Sequence, residues 1–167
     1  MERQYMTHGF PPFYNAKSEI LILGSFPSVK SREAQFFYGH PQNRFWRVIA
    51  AVYGEAAPQS LEEKRVFLTR NKIALYDVIE ECSIIGSSDA TIADVVPADI
   101  GAILRATRVG ERVFTNGGKA HDLYLKLIYP DLEVPAAKLP STSPANAAWS
   151  LERLTKAWNK ILKSAGA

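Results

Sequence analysis

The sequence predicts a three-layer α/β/α fold around a central, mainly parallel four-stranded sheet. Three observations carry that expectation. Short apolar runs at residues 20–23, 73–78, 112–115 and 132–137 alternate with stretches of helical period. Strands that alternate with helices in this way form a parallel sheet covered on both faces. The first and third runs end in turn-forming residues, Gly24 and Asn116-Gly117-Gly118. No repeat, low-complexity tract or linker divides the 167 residues, so one domain over residues 1–167 is expected.

The elements follow in order. Ile20-Leu21-Ile22-Leu23 is a continuous apolar run, the pattern of a strand buried on both faces. Phe45, Val48, Ile49, Val52 and Tyr53 recur at helical spacing, and Gly54 closes that helix. Ser60 with Glu63 three residues on is a capping box, opening a helix that runs through about residue 69. Residues 73–78 read as the second strand, and residues 80–97, polar and irregular, as a long loop. Asp99 caps a helix over residues 100–105. The third strand, residues 112–115, leads to a helix that turns Leu123, Leu127 and Ile128 inward and is stopped by Tyr129-Pro130. Pro135 puts the fourth strand, residues 132–137, at or near a sheet edge. A proline-containing loop over residues 139–147 precedes a last amphipathic helix at about residues 150–164. Its apolar face is Leu151, Leu154, Trp158, Ile161 and Leu162.

Composition narrows the function classes. A chain of this length buries a real core, and 47% hydrophobic with 22% charged residues is ordinary for a globular protein. A net charge of +3 permits a nucleic-acid partner without demanding one. The single cysteine, Cys82, excludes an intrachain disulfide framework, so a reducing, cytoplasmic compartment is expected. The first eight residues are polar and show no signal peptide. No stretch approaches the roughly 20 apolar residues of a membrane span. No Cys/His cluster has the spacing of a zinc site.

In open parallel sheets, ligands bind outside the carboxyl ends of the strands. Three polar loops fall there together, at residues 24–28, 116–118 and 141–146. Asn43 stands at a helix mouth, where it reads either as an N-cap or as a neutral amide able to orient water. Asn116 is either a turn residue or an amide offering a donor and an acceptor to a base edge. Of Phe36, Phe37 and Tyr38, at least one belongs to the core, and one can stack on a base. His40, held extended before Pro41, reads as structural. His8 in the tail and His121 within a helix have no partner motif. Asp77 either touches the pocket or caps the segment after it, and takes no assigned role. Arg153, Lys156, Lys160 and Lys163 make a basic stripe whose default is a solvated helix face, with a DNA backbone contact as the alternative.

The turn Gly24-Ser25-Phe26-Pro27-Ser28, the run His40-Pro41-Gln42-Asn43-Arg44-Phe45-Trp46 and the late Ser143-Pro144-Ala145-Asn146 resemble signature segments of the uracil-DNA glycosylase superfamily. The resemblance covers nearly the whole chain. Ala74-Leu75-Tyr76-Asp77-Val78-Ile79, Cys82 and Ser88-Asp89 look like its hypoxanthine-DNA glycosylase branch, family six. Many superfamily members carry a carboxylate or amide at the third position of the first turn, where this chain has Phe26. The resemblance implies that Asn43 is catalytic and positions water against an oxocarbenium-like sugar. It also implies that Tyr38 stacks on the base with Phe26 as a second wall, and that Asn116 reads the base and disperses its developing charge. Ser25, Ser28 and Ser143 would grip phosphates, and Pro144, Ala145 and Asn146 would form the wedge.

The implied activity is that of a monofunctional DNA glycosylase, and it implies neither a metal nor an organic cofactor. It would flip a deaminated base, hypoxanthine first, out of damaged double- or single-stranded DNA and hydrolyse its N-glycosidic bond. No lysine stands in a catalytic motif position for a Schiff base. Alternatives are uracil, xanthine or mispaired thymine in the same chemistry, or a non-catalytic lesion-binding protein. A nucleoside hydrolase is a third class, many of which need an aspartate cluster that this chain lacks. A monomer is expected, nucleoid-associated if the source is a prokaryote.

Overall fold

The computed structural model describes residues 2–86 and 88–164. In chain order the elements are β1 (Gln4–Thr7), β2 (Ile20–Gly24), α1 (Val29–Ala34), α2 (Phe45–Val52), α3 (Leu61–Arg70), β3 (Ile73–Asp77), β4 (Ile79–Ile84), β5 (Ala93–Pro97), α4 (Ile100–Ala106), β6 (Val113–Asn116), α5 (Gly118–Leu127), α6 (Tyr129–Leu132), β7 (Ala136–Leu139) and α7 (Leu151–Ser164). A 3₁₀ turn at Asp89–Thr91 joins β4 to β5. The main sheet has the order β3-β2-β6-β7, and every pairing in it is parallel. This is the expected α/β architecture, with β7 on the edge.

Burial explains the central strand. Leu21, Ile22 and Leu23 are wholly withdrawn from solvent, so both faces of β2 are covered. Each such side chain stabilises the fold by about 1.5–3 kcal/mol. Helix α2 packs against α7, and α5 against β6 and β7. The expected start signals are present. Ser60 and Glu63 form a complete capping box, and the Asp99 side chain accepts from the Ala102 N–H. Gly54 takes φ +66° just past α2, a left-handed conformation that suits glycine.

Three expectations need correction. Residues 80–97 are not a long loop: β4 and β5 pair antiparallel, and β1 joins them in a second sheet of order β1-β4-β5. The register of β4 on β5 shifts between Ile79 and Glu81 and again between Glu81 and Ser83. Such irregularities break the period-two alternation that reveals a strand. Helix α5 ends at Leu127, just ahead of Tyr129-Pro130 as expected, but a further short helix, α6, follows at once with Pro130 in its first turn, where a missing N–H costs nothing. The fourth strand therefore begins at Ala136 rather than at residue 132. On α5 the expected inner face holds: Leu123 and Leu127 pack half-buried against the core and Ile128 is buried, joined by buried Ala120 and by Tyr124, whose hydroxyl donates to the Val134 carbonyl at 2.6 Å. Leu151, at the start of α7, is exposed. Helix α1, capped by Ser28, has no counterpart among the elements expected from sequence.

Candidate active site

The loops leaving β2, β6 and β7 at their carboxyl ends enclose a pocket of about 550 Å³. Asn43, Tyr38, Phe26, Asn116, Ser25, Ser28, Ser143, Pro144 and Ala145 all border it, as do His40, Asp77 and Asp89. Asn146 is the one expected site residue that does not. Its amide instead donates to the Ser141 carbonyl at 3.0 Å and ties the loop to itself.

One wall is a neutral hydrogen-bonded chain. The Asn43 Oδ1 accepts from the Phe45 backbone N–H at 2.9 Å and from the Thr142 hydroxyl at 2.8 Å. A backbone N–H can only donate, so the first bond fixes which end of the amide faces the helix. Asn43 thus stands one residue before Arg44, the N-cap of α2, satisfies the first N–H of that helix, and borders the pocket at once. Both lone pairs of its oxygen are used, and Nδ2 makes no hydrogen bond among the described residues. Thr142 is wholly buried and links the wall: its hydroxyl accepts from Asn116 Nδ2 at 3.0 Å, and its N–H donates to Asn116 Oδ1 at 3.1 Å. The second amide hydrogen of Asn116 goes to the Tyr38 hydroxyl at 3.2 Å. Both donors of Asn116 are therefore engaged, and one oxygen lone pair remains for a ligand.

Tyr38 has φ +53°, a left-handed conformation unusual for a tyrosine. Its ring stacks on Phe45 at 4.0 Å and 14°, which leaves the opposite ring face for the pocket. Burial, with the Asp77 charge adding to it and the Asn116 bond opposing, drives its phenol well above the ordinary tyrosine range.

The opposite wall is charged. Asp77 ends β3, and its Oδ2 lies 2.7 Å from His8 Nε2. It does not cap the following segment: the Val78 and Ile79 N–H groups already donate to the Gly24 and Ser25 carbonyls. His8, which has no partner motif in the sequence, is wholly buried against Asp77. Ser25 Oγ donates to the Asp89 carboxylate at 3.0 and 3.1 Å, so it faces an anion rather than an open rim. Asp89 is exposed as a residue, but its carboxyl turns inward. Lost hydration there pushes it up, and the Ser25 bond holds it back. Phe26 is buried with Ile79, Cys82 and Ile84, joining the small sheet to the pocket.

The rim is anchored from within. Arg44 donates to the carbonyls of Ser143 at 3.0 Å, Asn146 at 3.1 Å and Trp149, and its own N–H donates to the Thr142 carbonyl at 3.1 Å. Pro144 and Ala145 stand exposed at the tip of the loop so held. Ser28 Oγ accepts the Ser31 N–H at 3.1 Å and caps α1. His40 Nδ1 accepts from the Gln42 N–H at 3.1 Å, which agrees with its structural reading. Arg153 lies 3.8 Å over the Trp149 ring, and the basic residues of α7 line no part of the pocket. Among the described residues, no group of three or more His, Cys, Asp or Glu side chains could hold a metal. No helix there is long and apolar enough to cross a membrane.

Thr142, His8, Asp89 and Arg44 are the site-building residues to which sequence reasoning gave no site role. Arg44 lies inside a signature segment, Thr142 directly precedes another, Asp89 belongs to the stretch that resembles the hypoxanthine branch, and His8 carries no local signal.

The pocket brings neutral amides, an aromatic ring, two carboxylates and a proline-containing loop together at the carboxyl edge of a parallel sheet. Comparison with known proteins makes the class specific. The family model described as the uracil DNA glycosylase superfamily matches residues 11–162. The chain belongs to that superfamily and is a DNA glycosylase. It is 34% identical over 156 residues to a protein named hypoxanthine DNA glycosylase from Methanosarcina acetivorans, covering 93% of this chain and 97% of that one. A second protein of that name, from Methanosarcina barkeri, is 41% identical over 87 residues, 52% of this chain and 55% of that one. Among solved structures, a solution NMR structure of a candidate uracil DNA glycosylase from Methanosarcina acetivorans superposes with a TM-score of 0.78. That likeness has 32% identity and covers 98% of this chain and 100% of the other.

Proposed function

We propose that this chain is a monofunctional glycosylase that releases hypoxanthine from DNA and leaves an abasic site. The base is supported by the two Methanosarcina relatives, both named for hypoxanthine. The observation that carries the mechanism is the Asn43 carboxamide bordering the pocket while its oxygen is saturated by Phe45 and Thr142. The remaining Nδ2 donates to a water and holds it against C1′ of the extruded nucleotide. An amide so engaged abstracts no proton. None is needed early, because the glycosidic bond breaks toward an oxocarbenium-like sugar that a weakly activated water captures.

The other roles follow from position. The free face of Tyr38 stacks on the flipped base, and buried Phe26 keeps the pocket dry, which strengthens its hydrogen bonds. Asn116 accepts from the base with its one free lone pair and steadies Tyr38. The exposed tip Pro144-Ala145 enters the duplex, with Ser143 and Ser28 at the phosphates. The chain acts as a monomer on damaged DNA in the cytoplasm. The test is single-turnover incubation with oligonucleotides carrying one hypoxanthine, uracil or xanthine, followed by alkali. Cleavage at hypoxanthine first is expected. Binding without product at enzyme excess would favour a non-catalytic lesion binder.

A further inference from the structure

His8 and Asp77 lie 69 residues apart in sequence and meet beside the pocket. His8 has no exposed surface. The rings of Tyr76 at 4.3 Å, Phe10 at 4.5 Å, Phe37 at 6.0 Å and Phe26 at 6.2 Å surround it. Its Nε2 is 2.7 Å from Asp77 Oδ2, and its Nδ1 is buried with no hydrogen-bond partner among the described residues. An orphaned buried N–H is rarer and costlier than an orphaned buried lone pair. The arrangement with the fewest unmatched groups puts one proton on Nε2 and none on Nδ1. His8 is then a fixed donor, and Asp77 is a carboxylate held by it.

The second oxygen, Oδ1, makes no hydrogen bond among the described residues. It lies 2.4 Å from where a Cβ on residue 24 would stand, so the glycine there makes room for it. Asp77 is 5% exposed, and what it does expose borders the pocket. The pocket therefore holds an oriented group that accepts and cannot donate.

We propose that Asp77, oriented by His8, accepts the ring N–H of a lactam base and thereby separates a deaminated base from its amino parent. Deamination converts the ring nitrogen beside the exocyclic group from a bare acceptor into an N–H donor. Hypoxanthine differs from adenine in this way, and uracil from cytosine. A carboxylate oxygen attracts the N–H form and repels the lone-pair form. Guanine and thymine carry the same N–H, so this contact does not exclude them. The inference rests on the glycosylase reading above. His8 is a positioning residue in it and does not touch the base.

The orientation makes a reversal testable. In Asp77→Asn, which is isosteric, the His8 Nε2–H still holds the side-chain oxygen, so the amide NH₂ faces the pocket. That donor matches adenine and opposes hypoxanthine. The full chain is titrated with oligonucleotides carrying 2′-fluorinated deoxyinosine or deoxyadenosine, which resist hydrolysis, and the ratio of the two Kd values is read. The wild type should favour the inosine by on the order of 10- to 100-fold. Asp77→Asn should cut that ratio by at least about tenfold. The double variant His8→Phe/Asp77→Asn should recover it, because the unheld amide turns its oxygen to the pocket.

An unchanged ratio in Asp77→Asn overturns the proposal. So does a folded double variant that behaves like Asp77→Asn alone. Circular dichroism melts establish folding, and the single variant decides if the double does not fold. Release of uracil and not hypoxanthine by the wild type would strike the proposed function instead. The deoxyuridine and deoxycytidine pair then replaces the purines, and the same ratio still decides whether Asp77 selects the base.

Discussion

On one side of the pocket, Asn43, Thr142, Asn116 and Tyr38 form a chain of neutral hydrogen bonds supplied by the loops of the parallel sheet. On the other, two carboxylates, Asp77 and Asp89, are held by His8 and Ser25, with His8 and Asp89 brought in by the small antiparallel sheet. In the proposed mechanism the two sides divide the labour. A neutral amide can guide water to a sugar cation without competing for protons. Fixed anions can distinguish a donor edge from an acceptor edge. The difference teaches that a pocket with an apolar Phe26 in its first turn still holds carboxylates, supplied by other parts of the chain.

The largest expected effect comes from breaking the neutral side. Asn43→Ala should slow single-turnover excision by on the order of 100- to 1,000-fold while lesion-DNA affinity stays near wild type. A wild-type rate would remove catalysis from this wall altogether. Thr142→Val removes the hydroxyl that Asn116 Nδ2 and Asn43 Oδ1 share, at a cost of about 1–3 kcal/mol for the unpaired groups. Excision should fall by roughly tenfold with a lower Tm, and Thr142→Ser should restore both. On the charged side, Gly24→Ala drives a methyl group into the carboxylate that His8 holds. Destabilisation by about 1–3 kcal/mol in urea unfolding is expected.

Two smaller effects sharpen the contrast. Ser60→Ala, far from either wall, should cost about 1 kcal/mol through its capping box and leave excision untouched. Asp89→Asn probes the pushed-up carboxyl. An acid whose folded pKa is raised costs stability above that pKa and nothing below its unfolded value. The substitution should therefore give a small rise in Tm at neutral pH that fades as pH falls through the carboxylate range, seen in melts across pH.

The parallel sheet and the neutral wall were legible in the sequence, because both are local. Ile20 to Leu23 announce a strand by composition alone, and Asn43 stands within a run whose every residue lies on one loop and helix. Its second partner, Thr142, was visible as a loop hydroxyl, but its complete burial was not. The charged wall was not legible for a different reason. His8 meets Asp77 only after β1 pairs with β4, and the register shifts of β4 on β5 hide that sheet from any periodicity. Asp89 likewise reaches Ser25 across 64 residues, with no spacing to mark it.

Arg44 follows Asn43 in the chain and grips three carbonyls of the loop whose tip is Pro144-Ala145. The guanidinium thereby ties that tip to the turn that bears the amide. In the proposed mechanism, intrusion into a helix and alignment of the hydrating molecule are joined through this one side chain. On that reading, a nucleoside that arrives without its strand should be a poor substrate.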